Sequence, residues 1–89
     1  MDIYEELVFM FESTLGIQVS NLHFSKFGGT TSLLRVYEKD VRNAVLTINL
    51  DRMRVTNNSR MSMRLDGVVE QTIKEFMETD YFIQIRVNH

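Results

Sequence analysis

The chain predicts an α+β fold, a two-layer sandwich in which an antiparallel sheet of about four to five strands carries two helices on one face. Three observations carry that expectation. Apolar residues recur at helical spacing near both ends of the chain, alternate with polar residues at a period of two between them, and flank a Gly28-Gly29 pair suited to a tight hairpin.

Residues 2–15 read as the first helix because Ile3, Tyr4, Leu7, Val8, Met10, Phe11 and Leu15 share one arc. Asp2 with Glu5 three later makes a capping pair, and Gly16 is a C-terminal stop. The acids Glu5, Glu6 and Glu12 occupy the opposite arc, and Phe9 lies among them. Two readings of Phe9 stand: a surface aromatic with no role, or an interface anchor.

From residue 17 the period is two. Residues 18–27 and 30–38 form the first expected hairpin, and residues 39–43 a polar turn. Ala44, Leu46, Ile48 and Leu50 then alternate with Val45, Thr47 and Asn49, and the pattern continues through Met53 and Val55 and again at Met61, Met63 and Leu65. Either Asp51-Arg52 or Asn57-Asn58 must turn the chain in this region.

The second helix is expected over residues 66–79, with Asp66 as its cap and Val68, Val69, Thr72, Ile73, Phe76 and Met77 on one side. Residues 81–87 alternate again and read as a closing strand. Leu7, Phe11, Leu46, Ile48, Val69, Ile73 and Phe76 should share one core. At 89 residues the chain fits a single domain over 1–89, of modest stability.

Charge is sorted along the chain. Residues 1–22 hold four acids and no base, residues 23–64 hold eight bases against three acids, and the remainder is acidic again, inside a net charge of −2. In the basic segment Arg52-Met53-Arg54-Val55 alternates, so a strand would set cations on one face and apolar groups on the other. On the two-layer reading Arg52, Arg54, Thr56, Ser62 and Arg64 look away from the helices, and Arg35 with Tyr37 joins that open face.

This arrangement predicts a binding face built from Arg35, Tyr37, Arg52, Arg54, Arg60 and Arg64, with Phe9 as a separate anchor. Arginine is the preferred cation for carboxylates on another protein and for interface hot spots. Arginines with exposed rings such as Tyr37, Phe82 or Phe27 also suit RNA or single-stranded DNA, although a pI near 5.6 argues against strong non-specific DNA binding. The plain alternative is that the arginines pair with acids on neighbouring strands and only solvate the sheet.

Other chemistry finds little footing. With no cysteine there is no disulfide, thiolate nucleophile or thiolate metal site, and a reducing cytoplasmic setting is expected. The first residues are acidic where a secretory leader needs bases, and no apolar run approaches the ~20 residues of a membrane span. Asn57-Asn58-Ser59 matches a glycosylation sequon but reads as a polar turn. His23 and His89 lack metal-ligand spacing, and Phe27-Gly28-Gly29-Thr30 lacks the Lys and following helix of a phosphate-binding loop. His23 and Ser25 share a strand face, and Asp40 lies elsewhere, but three common residues do not make a triad.

The expected function is therefore a small non-enzymatic protein-binding module of inhibitor or adaptor type, without cofactor, using the Arg face against an acidic partner surface. A direct RNA or single-stranded DNA binder is the alternative, and a phage-type inhibitor of a host nucleic-acid enzyme a further one. At micromolar concentration a monomer or weak homodimer is expected, associating head to tail and not about a two-fold axis.

Overall fold

The computed structural model describes residues 3–52, 54–58 and 66–78. The order is α1 (Ile3–Leu15), β1 (Val19–Phe27), β2 (Thr30–Glu38), β3 (Leu46–Asn49), β4 (Arg54–Asn57) and α2 (Asp66–Met77). The four strands form one antiparallel sheet in sequence order, β1-β2-β3-β4, so the class is α+β. Residues 81–87, Met53 and the Met61, Met63 and Leu65 cluster lie outside the described residues, as do the side chains of Val69, Ile73 and Phe76. Among the described residues no helix is long and apolar enough to cross a membrane.

The buried core joins α1 to the sheet. Leu7, Phe11 and Leu15, four apart and so on one helical stripe, cluster with Leu22 of β1, Leu34 and Val36 of β2, and Leu46 and Ile48 of β3. The register explains the choice of sheet residues: Leu22 faces Val36, Val36 faces Leu46, Leu34 faces Ile48, and Ile48 faces Val55. Each fully buried Leu or Phe here contributes about 1.5–3 kcal/mol relative to exposure. α1 also touches α2 and β1, and α2 touches β4.

Local chemistry ends each element. Gly16 adopts φ 68° after the last turn of α1, and its amide donates to the Glu12 carbonyl at 2.9 Å. The Glu12 side chain then accepts the Val19 amide at 3.0 Å, tying the helix to the start of β1. Gly28 and Gly29 have φ 61° and 83°, the two positive values of a type I′ hairpin. A Cβ at either glycine would meet nothing within 4 Å, so the requirement is the dihedral angle and not space.

Of the two sites that could turn the chain after β3, the structure uses Asp51-Arg52. The Asn49 Oδ1 accepts the amides of Asp51 at 3.1 Å and Arg52 at 3.0 Å, forming a side-chain-closed turn, and β4 starts at Arg54. Arg52 is thus a turn residue and not a member of the strand face.

Three departures from simple alternation appear. The pairing slips between Val19 and Asn21 and between Ser25 and Lys26, so β1 and β2 carry irregularities. The second lets both Thr31 and Leu34 be buried although they differ in parity. Val45 is buried beside Leu46, and it continues the ladders past the ends of β3: its amide donates to the Val36 carbonyl at 2.9 Å, and its carbonyl accepts the Asn58 amide at 2.8 Å.

Candidate binding face

The sheet has a second face, opposite the core. The register places His23, Arg35, Thr47 and Thr56 in one row across all four strands, and Ser25, Leu33, Asn49 and Arg54 in the next. Asn21 and Tyr37 oppose each other one step beyond the first row. The strand residues of these rows include two arginines and no carboxylate.

Arg35 has His23 on one side and Thr47 on the other, and Arg54 has Asn49. The Arg35 guanidinium donates a long bond of 3.5 Å to the Ser25 hydroxyl. Among the described residues the ion pair within 4 Å joins Lys74 and Glu70 on α2, and none involves Arg42 or Arg54. Among the described residues no acid stands directly across the ladders from Arg35 or Arg54.

At one end of this face the turn between β2 and β3 rises into an open groove of about 970 Å³. Arg35, Tyr37, Thr47, Arg42, Glu38 and Asp40 contribute to its walls, with Val41, Ala44 and Val45 as apolar lining. Asp40 holds φ 65°, a left-handed conformation that Asp tolerates, and the Lys39 amide donates to the Gln18 carbonyl at 2.8 Å. The turn is thereby anchored to the segment entering β1. Two arginines against two acids leave the groove nearly neutral, so it offers paired hydrogen-bonding groups rather than a net field.

The residues expected at the site divide into three sets. Arg35, Tyr37 and Arg54 share the open face; Arg52 is exposed beside it in the β3–β4 turn; Arg60 and Arg64 lie outside the described residues. Phe9 sits on α1, away from the sheet face, and is 67% exposed. It borders a shallow hollow of about 320 Å³ with Tyr4, Glu5, Val8 and Glu12. Phe27, at the hairpin tip, is 70% exposed.

Sequence reasoning passed over Arg42, which joins the groove from the β2–β3 turn, and Thr47 and Asn49, which complete the rows. Strand parity after Leu46 would have found the last two; a turn residue such as Arg42 has no periodicity to reveal its direction. Comparison with protein-family models, with curated proteins and with solved structures finds no match to this chain.

Proposed function

We propose that this chain is a small non-enzymatic, cytoplasmic protein-binding module of inhibitor or adaptor type that acts by occupying an acidic surface of a partner. On this reading both helices cover the same side of the sheet as a two-layer sandwich, and the other side is the working face. One observation carries the proposal: Arg35 and Arg54 share the face opposite the core with His23, Thr47 and Asn49 as cross-strand neighbours, and no acid among the described residues stands across from them. An arginine fork without a carboxylate beside it keeps its donors for a ligand, and desolvated arginine is a frequent hot spot. Tyr37 supplies a ring next to Arg35 that buries apolar area at low entropic cost.

The test compares the parent chain with a variant carrying Arg35→Glu and Arg54→Glu in capture from lysate, with and without nuclease, after circular dichroism shows both folded. A captured protein that survives nuclease and is lost in the variant supports the proposal. Capture abolished by nuclease, together with binding of labelled RNA or single-stranded DNA that falls steeply with salt, replaces it by the nucleic-acid reading. Undiminished capture by the folded variant removes the face from consideration.

A further inference from the structure

The chain carries its own complement to the Arg face, and we propose that a second copy docks α1 on that face, head to tail. The inference rests on the working face proposed above. Its second half is independent: α1 has three acids, Glu5, Glu6 and Glu12, and no base, and the exposed Phe9 ring stands among them.

The spacings agree. Glu5 lies four residues before Phe9 and Glu12 three after, which separates the two acids by about 10 Å along the helix axis. On the sheet, Arg35 and Arg54 are two positions along and two strands across, about 12 Å apart. Thr47 and Asn49 of β3 lie between the two cations, with half-buried Leu33 beside them on β2, so an uncharged patch separates the cations as Phe9 separates the acids. Seating the ring over Thr47 and Asn49, with the helix crossing the strands diagonally, brings an acidic turn of helix toward each arginine. One Glu12 oxygen already accepts the Val19 amide, which holds that carboxylate in place.

Two copies of α1 repel, and so do two copies of the Arg face, so neither surface can pair with itself about a two-fold axis. The contact is heterologous: each docked copy still presents one free helix and one free face. Association therefore grows with concentration and weakens with salt, because unlike charges across a partly wet interface are screened.

Sedimentation velocity from micromolar to millimolar protein, at low and high salt, reads this directly with the parent chain, Phe9→Ser and Arg54→Glu. The parent is expected to show mass rising with concentration and falling with salt, and each variant alone to lose that rise. Mixing the two variants restores one contact and only one, since the Phe9→Ser copy keeps an intact face and the Arg54→Glu copy an intact helix. The mixture should stop at a heterodimer. A parent that stays monomeric at millimolar concentration, a closed dimer of fixed mass, or a mixture no more associated than its components would each overturn the proposal. Capture of an acidic partner is read separately with the parent chain at high dilution, where copies of the chain do not associate, so failure of self-docking is separable from failure of the proposed function.

Discussion

Asn49 faces Arg54 directly across the β3–β4 ladder, and the same asparagine closes the turn that joins those two strands. One side chain thus sets both the path of the chain into β4 and the place where Arg54 begins it. Replacing Asn49 with Ala removes two acceptor contacts and should cost about 1 kcal/mol for each bond lost, read as a lower urea midpoint. Because the turn loosens just before Arg54, partner capture should weaken more than in a control such as Ser13→Ala on exposed α1 surface.

Phe11 and Phe9 are two residues apart and differ wholly in burial, at 1% and 67% exposure. Phe11→Ala leaves a cavity against the sheet and should cost about 3–5 kcal/mol, enough to unfold much of a domain this small. Phe9→Ser should shift stability by less than about 0.5 kcal/mol, as surface changes do. Equal losses in the two variants, measured by denaturant unfolding, would mean that Phe9 is also packed.

The hairpin glycines make a sharper contrast. Gly28→Val forces a β-branched residue to positive φ and should cost about 1–2 kcal/mol, whereas Gly28→Asn should lose much less because Asn accepts the left-handed region. Thermal melts of the two variants check the order.

Glu12 ties α1 to β1 through the Val19 amide. Glu12→Ala should lower stability by about 1–2 kcal/mol by orphaning a half-buried donor, and Glu12→Gln should recover most of it because the amide oxygen still accepts. Hydrogen exchange at Val19 should accelerate in the Ala variant and stay slow in the Gln variant.

The parts of this fold legible in the sequence are those where a local rule has one solution. The Leu7, Phe11 and Leu15 stripe, the stop at Gly16 and the Gly28-Gly29 hairpin each follow from spacing or from a dihedral angle only glycine adopts freely. The turn after β3 was open between two polar pairs, because both have turn chemistry and only the Asn49 side chain, acting across the ladder end, selects between them. Thr31 and Val45 were not legible as buried residues. A slip in strand register changes which face a residue meets without changing composition, and the period of a strand does not show what covers a residue just beyond its end. Of the binding face, Arg35, Tyr37 and Arg54 follow from parity, while Arg42 depends on how a seven-residue connection between β2 and β3 bends back.

The sequential strand order has a kinetic consequence. Each described strand pairs with its neighbour in the chain, so the sheet assembles by short loop closures and not by joining distant segments. Local strand pairings form faster than distant ones, and here the nine-residue β1 and β2, joined by two glycines, form the longest described ladder around the tightest connection. That hairpin is the natural nucleus on which β3 and then β4 zip, with α1 sealing the product as Phe11 and Leu15 join the buried cluster of Leu34 and Val36. A chain built this way can reach its native state before its exposed strands meet those of another molecule, which suits a small protein whose working surface is itself a sheet face.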